Sequence, residues 1–282
     1  MAKTVNDLYM HYSKILDSQL EAREIVAFAL DLDRQKTLDW GHLFIGDESE
    51  KKVETIIQRR LSGEPLAYIL GEWEFYSLPF KVTPAVLIPR ADTETLIDRA
   101  LVYLYQKPKP RVLDLCAGSG CVGITIAYYT KEARVTACDI SNEALDVAKF
   151  NAKLNQVNQR YMSVTCDVLK PDKTLGMFDL IVSNPPYIPA KDIKTLDTDV
   201  KDFEPLIALD GGDDGLIFYR AICENFLKML KPKGQIMFEY GIGQENDIAR
   251  ILRSYGLCEI KITKDLCGIN RVIQATKPEI LI

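Results

Sequence analysis

RVLDLCAGSGCVGI, residues 111–124, is the stretch on which the fold turns. A short apolar run, RVLDL, stops at a turn carrying Gly118, Gly120 and Gly123. The run GITIAYYT that leaves the turn has the texture of a buried helix. Residues 118–123 (GSGCVG) match G-x-G-x-x-G, and Asp139 closes the next apolar run, ARVTACD, 19 residues after Gly120. Strand, glycine turn, helix, strand and carboxylate in this order describe a nucleotide-binding βαβ unit. The glycines let backbone approach a ligand at a helix N-terminus, and the carboxylate can accept hydrogen bonds from both ribose hydroxyls. A tight turn without a ligand would explain the glycines, but not a carboxylate at that spacing.

Outward from the turn the same alternation continues. YMSVTCD and FDLIVSN read as strands, GLIFYRAICENFLKML as a helix, GQIMFEY as a strand, and residues 245–254 as a helix. CEIKIT and RVIQAT finish the chain, and the loop KDLCGIN between them is short enough for an antiparallel pair at the sheet edge. Alternating β and α elements imply a parallel, doubly wound α/β sheet. Upstream the texture changes. Residues 3–62 read as a helical bundle: Val5, Leu8, Tyr12, Ile15 and Leu16 share a helical face, as do Ala22, Ile25, Val26, Ala29 and Leu30, and then Val53, Ile56, Ile57 and Leu61. Residues 67–89, rich in aromatic and β-branched residues and punctuated by proline, predict a hairpin or extended connector. Residues 93–106 predict a helix with Asp92 as N-cap.

Bulk composition narrows the function classes. No apolar run approaches the ~20 residues that span a bilayer, and the start of the chain lacks a basic-then-apolar signal pattern. A cytoplasmic protein is expected. The seven cysteines form no C-x-x-C pair and read as reduced core thiols. The two histidines, His11 and His42, both lie near the N-terminus, which argues against a Cys/His zinc site or a His-based nucleophile system in the rest of the chain; no metal is expected. Residues 1–95 hold 11 Lys+Arg against 16 Asp+Glu, so the whole net charge of −5 lies in the first third. An acidic N-terminal third counts against a cationic nucleic-acid footprint and suits a basic protein partner.

Two features favour S-adenosylmethionine over NAD at the glycine turn. Asp114 sits just before the turn, where a negative charge suits an amino group and a sulfonium and repels a pyrophosphate. Asp167 follows the third strand, placed to accept from an adenine amino group. Asp114, Asp139, Asp167 and Asn184 each mark the end of one of four strands, where open α/β sheets bind ligands. The fourth strand runs into Asn184-Pro185-Pro186-Tyr187. Two prolines fix a rigid corner and leave carbonyls without local partners. There the Asn184 side-chain oxygen and a proline carbonyl can converge as two acceptors for an –NH2 group, and Tyr187 offers a face to a planar one. The alternative is a turn that merely ends a strand. An amide nitrogen is a poor nucleophile, so acceptors on both N–H bonds would hold it in line with a methyl donor.

These residues resemble the HemK/PrmC family, the protein-(glutamine-N5) methyltransferases that act on peptide chain release factors. The resemblance runs over nearly the whole chain: GEPLAYILGEWEFY and LIPRADTETLID in the first part, then VLDLCAGSGCVGI, VSNPPYIP, EPLIALDGGDDGLIFYR, MFEYGIGQ and DLCGINRVI. It implies a class I S-adenosylmethionine-dependent methyltransferase domain, Rossmann-like with a mostly parallel seven-stranded sheet, behind an N-terminal helical bundle and a connecting β-hairpin. The implied domains are a substrate-docking bundle over residues 1–66, a linker over 67–90 and a catalytic domain over 91–282. By similarity, Gly118, Ser119 and Gly120 contact the methionine end of the cofactor, with Cys116 and Ala117 in the same loop; Asp139 holds the ribose, and Asp167 and Val168 border the adenine. Asn184 and Pro185 are the implied catalytic residues, binding the glutamine amide together with Pro186 and Tyr187, and Asn184 also touches the cofactor. The implied partner is a release factor, methylated at the glutamine of its Gly-Gly-Gln motif with S-adenosyl-L-homocysteine as product, by a monomer with no membrane or direct nucleic-acid binding. A second branch methylates a glutamine of a ribosomal protein, and nucleic-acid N6-adenine-type methyltransferases share the Asn-Pro-Pro-Tyr corner. An NAD-dependent oxidoreductase would leave that corner unexplained, and a non-catalytic binding module would bind the cofactor tightly without transferring a methyl group. Family members often carry glycine where Cys116 stands. The segment DGGDDG (residues 210–215) lacks the EF-hand spacing and is expected to be a flexible loop edging the substrate groove. Arg90 is expected either in a structural ion pair or at the cofactor pocket, and Trp73 and Tyr76 in hairpin packing.

Overall fold

The computed structural model describes residues 3–33, 41–171 and 175–279. Its contacts divide the chain into Met1–Gly71 with Thr198–Phe203, and Glu72–Asp197 with Glu204–Ile282. In the first unit, α1 (Val5–Ile15) starts at a capping box between Thr4 and Asp7, α2 (Gln19–Ala29) starts on the Ser18 hydroxyl, and α3 (Asp47–Leu61) carries acids in its first turn and arginines in its last, matching the helix dipole. Val5, Leu8 and Tyr12 pack with Ala22, Ile25 and Val26 and with Val53 and Ile57 into one apolar core. Ile15 and Leu61, predicted on those faces, are 45% and 47% exposed, because each lies in the last turn of its helix. The helical reading of residues 34–40 lies outside the described residues. The connector predicted from residue 67 instead begins with a single helical turn, α4 (Leu66–Leu70): Pro65 stands at its N-cap, and Gly71, left-handed at φ 71°, ends it.

In the second unit, β1 (Glu72–Phe75) and β2 (Leu78–Lys81) form the expected hairpin, with Tyr76 and Ser77 both left-handed as a two-residue turn demands. The helix predicted over 93–106 is a 3-10 turn (Ala91–Thr93) followed by α5 (Glu94–Leu104). Asp92 is therefore not its cap: the turn moves the cap position to Thr93, and Asp92 pairs with Arg271 at 3.0 Å. The sheet then assembles from β3 (Arg111–Leu115), β4 (Arg134–Asp139), β5 (Tyr161–Thr165), β6 (Phe178–Ser183), β7 (Leu230–Glu239), β8 (Cys258–Lys264) and β9 (Asn270–Thr276) in the order β5-β4-β3-β6-β7-β9-β8. Five strands run parallel, and β9 enters antiparallel to β7 and to the edge strand β8. This is the fold of a class I S-adenosylmethionine-dependent methyltransferase.

Buried on both faces, the strands send alternate residues to two cores. Val112 and Leu180 meet α5, α6 (Cys121–Tyr129) and α7 (Asn142–Leu154) on one side. Leu113, Leu115 and Ile181 meet α9 (Ile217–Phe226) and α10 (Glu245–Ser254) on the other; α8 (Thr198–Lys201) belongs to the first unit. Among the described residues no helix is long and apolar enough to cross a membrane. Cysteines 138, 166 and 223 are core thiols as expected, whereas Cys258 and Cys267 are exposed at the antiparallel edge.

One polar side chain joins the hairpin to the glycine turn. Asn151 of α7 is fully buried, accepts from Lys81 N at 2.7 Å, and donates to Lys81 O at 3.0 Å and Ser119 O at 2.9 Å. Replacing it strands three backbone groups at once, the buried Ser119 carbonyl among them. Asn151→Ala is expected to cost about 2–4 kcal/mol in urea unfolding, and a loss below about 0.5 kcal/mol would be the size of a neutral surface change and would refute the linchpin role.

Candidate active site

The strand order reverses between β3 and β6: β4 flanks β3 on one side, and β6, the fourth strand in sequence, flanks it on the other. Crevices at such points, beyond the strand C-termini, are where open sheets bind ligands. The glycine turn follows β3 and the Asn-Pro-Pro-Tyr corner follows β6, so two distant motifs become neighbours across one ladder, in which Leu115 faces Ser183. Cys116, Ala117, Gly118, Ser119, Asp139, Asp167, Val168, Asn184 and Pro186 all line one cleft there. Gly120, Pro185 and Tyr187 stand outside that lining, Pro185 buried and Tyr187 half-buried at its back.

The three glycines of the turn have different duties. Gly118 is left-handed (φ 53°), and a Cβ there would meet nothing within 4 Å, so this position opens onto ligand space. Gly120 is left-handed too (φ 80°), but a Cβ would lie 2.6 Å from the Tyr161 hydroxyl. At Gly123 it would lie 2.8 Å from Asp114 Oδ2. The second and third glycines therefore serve packing. Cys116 also adopts a left-handed backbone (φ 58°). That conformation favours glycine, and a side chain there costs about 1 kcal/mol.

The strand-end carboxylates are partly committed to the protein. Asp139 accepts from Gly118 N at 2.8 Å and Ser141 N at 2.9 Å, tying the loop to the end of β4, while burial pushes its carboxyl upward. Asp167 accepts from Leu169 N at 2.8 Å. Asp114 lies beneath the turn, 1% exposed, and accepts from Gly123 N at 2.9 Å. Burial pushes it up to about 7, against the help of that hydrogen bond. The full negative charge expected of Asp114 from its position is thus reduced near neutrality by desolvation.

The corner after β6 is buttressed from three directions. The Asn184 amide nitrogen donates to the Thr93 hydroxyl at 3.2 Å. Glu239, at the end of β7, stands beside Asn184 across the β6/β7 ladder, one step past the Ser183–Phe238 pair, and burial pushes its carboxyl up to about 7 against the opposing pull of Thr93, Arg271 and Asn184. Gln244 donates to Tyr187 O at 3.0 Å and accepts from Gly241 N at 2.9 Å. The DGGDDG segment, expected to be a flexible groove edge, is pinned to the same corner: Gly211 N donates to Ile188 O at 2.8 Å, and Ala190 N donates to Gly212 O at 2.9 Å. Side chains on Gly211 or Gly215 would collide with Tyr187 backbone at 2.8 and 2.3 Å. Its glycines exist for that close approach. Arg90 fulfils both of its expected roles, lining the cleft and pairing with the buried Glu204. Thr93, Glu239 and Gln244 went unnoticed in the sequence; the runs LIPRADTE and MFEYGIGQ held them, but nothing local showed that they meet.

S-adenosylmethionine fits this donor set. Space opens at Gly118, the acidic groups around it suit a sulfonium and an amino group, and Arg90, the cation lining the cleft, is bound to Glu204. The neighbouring thiols are kept from competing for a methyl group: burial pushes Cys121 up to about 12 and Cys116 well above its ordinary value, so the nucleophilic thiolate is scarce.

The comparisons with known proteins agree. Residues 94–200 match the Methyltransferase small domain and residues 7–71 the PrmC N-terminal domain. The chain is 37% identical over 278 residues to a release factor glutamine methyltransferase of Clostridium acetobutylicum, covering 98% of this chain and 94% of that one. It is 38% identical over 263 residues to one of Thermodesulfovibrio yellowstonii, covering 93% of each. A methyltransferase structure from Pyrococcus furiosus shares the fold at 17% identity, with a TM-score of 0.53 over 82% of this chain and 99% of that one.

Gly118→Ala is expected to weaken S-adenosylmethionine binding about 10- to 100-fold, the loss of one to two good contacts, in calorimetric titration, with stability lowered only by the roughly 1 kcal/mol that a side chain costs in left-handed backbone; an unaltered Kd would remove Gly118 from the cofactor wall. A second expectation concerns pH. Asp114 and Glu239, both raised to about 7, bind protons more tightly folded than unfolded. Their contribution is therefore greatest below the unfolded values near pH 4 and is lost as pH rises toward about 7. Asp114→Asn keeps an acceptor for Gly123 N and is expected to flatten the fall in Tm between about pH 5 and pH 7.5; an unchanged slope would show that Asp114 does not titrate there.

Proposed function

The chain belongs to the release factor glutamine methyltransferase family, and on that premise we propose that it methylates the side-chain amide nitrogen (N5) of the glutamine in the Gly-Gly-Gln motif of a peptide chain release factor. The observation that carries this reading is the Asn184 amide. Its nitrogen is turned inward to Thr93 and Glu239, which leaves Oδ1 as the acceptor at the cleft. With the Pro185 carbonyl, Oδ1 receives the two N–H bonds of the substrate amide, and Tyr187 backs its plane.

S-adenosylmethionine supplies a methyl group activated by its sulfonium. Gly118 and Ser119, which line the cleft, hold its methionine end, with Gly120 packing the turn behind them, Asp139 holds its ribose, and Asp167 and Val168 its adenine. The chain's part is orientation: two fixed acceptors polarise the N–H bonds and aim the nitrogen's lone pair at the methyl group, in a cleft where thiols stay protonated. The catalytic unit contains no histidine, both lying at positions 11 and 42. The amide proton is accordingly released to water once the nitrogen has gained the methyl group and become acidic. The N-terminal unit, in the acidic third of the chain, is the docking surface for a basic region of the protein substrate.

Incubation with S-adenosylmethionine and a release factor, followed by peptide mapping, is expected to show one methyl group on the Gly-Gly-Gln glutamine. Asn184→Ala is expected to lower kcat by about 100-fold or more with cofactor Kd little changed. Methyl incorporation confined to nucleic acid or to a ribosomal protein would overturn the substrate, and near-normal turnover of the variant would overturn the acceptor role.

A further inference from the structure

We propose that Glu239 is a positioning residue for methyl transfer: its buried carboxylate, with Thr93, locks the Asn184 amide in the one orientation that turns Oδ1 toward the substrate. An asparagine amide is nearly symmetric in shape, and a half-turn about its last bond exchanges an acceptor for a donor. Turned the wrong way, Asn184 would present N–H groups to the N–H groups of the incoming amide. Something must therefore choose between the two orientations, and only acceptors behind the residue can do so.

The structure places two there. Thr93, 2% exposed at the head of α5, receives Asn184 Nδ2 at 3.2 Å. Glu239, 2% exposed at the end of β7, stands beside Asn184 across the β6/β7 ladder, one step past the Ser183–Phe238 pair, and Thr93 and Asn184 both favour its charged form. A threonine hydroxyl alone cannot discriminate, because it donates as readily as it accepts. In its charged form, which Thr93, Arg271 and Asn184 favour, the carboxylate only accepts, and as the acceptor behind Thr93 and Asn184 it sets the direction of the small network. Glu239 does not line the cleft, so it acts through Asn184 rather than on substrate. Its second oxygen, Oε2, is buried without a hydrogen-bond partner, an arrangement that a residue kept for packing alone would not need. Arg271 of β9 lies close enough to favour the charged form, while Asp92 opposes it.

The inference rests on Asn184 being the amide acceptor, and the test separates the two. Glu239→Met fills similar volume without an acceptor, and Glu239→Gln keeps an acceptor oxygen. With the full-length enzyme, a release factor and saturating S-adenosylmethionine, Glu239→Met is expected to lower kcat about 10- to 100-fold, the size of a lost charge-assisted hydrogen bond, with cofactor Kd within about twofold of wild type. Glu239→Gln is expected to recover most of that rate. In 15N spectra, the Asn184 side-chain NH2 is expected to exchange with solvent about tenfold faster in Glu239→Met than in wild type. If Glu239→Met does not fold, Thr93→Val, which removes the other acceptor, carries the same kinetic and exchange test. An active wild type with unchanged kcat in these variants, or with kcat and cofactor affinity lost together, overturns the positioning role alone. A wild type that methylates no glutamine removes the substrate reading and this inference with it.

Discussion

Everything in this molecule that bears on chemistry depends on the reversal of strand order between β3 and β6. A parallel sheet can add strands outward in either direction, and where the direction changes, the chains leaving two adjacent strands part toward opposite faces. The gap between them is a place at this edge of the sheet where backbone need not be covered by the next helix. The glycine turn fills one lip of the gap and the Asn-Pro-Pro-Tyr corner the other. Without the reversal, the two motifs, more than sixty residues apart in the chain, would have no reason to share a cleft.

What the cleft can hold follows from its charges. Asp114, Asp139 and Asp167 ring the cofactor side, and the nearby arginine is occupied by Glu204. A cation finds complementarity there that a pyrophosphate would not. Burial also disciplines the site, pushing Asp114 and Glu239 toward neutrality and the thiols toward their protonated forms. The substrate side relies less on charge than on direction. Thr93, the stretch from Glu239 to Gln244, and the glycines at 211 and 215 come from three separate segments that converge on the corner.

Much of this was legible beforehand where periodicity and turn chemistry agreed. The alternation from residue 110 onward announced the doubly wound sheet, and the short KDLCGIN loop announced its antiparallel edge. The four polar strand ends marked the ligand side, because strand direction alone carries them there. Boundaries failed where proline and 3-10 turns intervened: Pro65 and Gly71 make a helical turn in what reads as extended chain, and the turn at Ala91–Thr93 shifts a cap by one residue. DGGDDG was misread for a better reason. Glycine-rich acidic segments look mobile in isolation, and only the backbone of Tyr187 pressed against Gly211 and Gly215 explains why side chains are missing there.

The sequence by itself determined the fold class, the glycine turn on one lip of the cleft and the proline corner on the other, because each is written in residues close together in the chain: a turn, a strand end, a pair of prolines. Tertiary structure alone decided which way the Asn184 amide faces, that Asp114 is only partly charged near neutrality, and that two of the three turn glycines serve packing. Those outcomes depend on burial and on partners brought from other strands and helices, and neither desolvation nor long-range hydrogen bonding leaves a local mark in sequence.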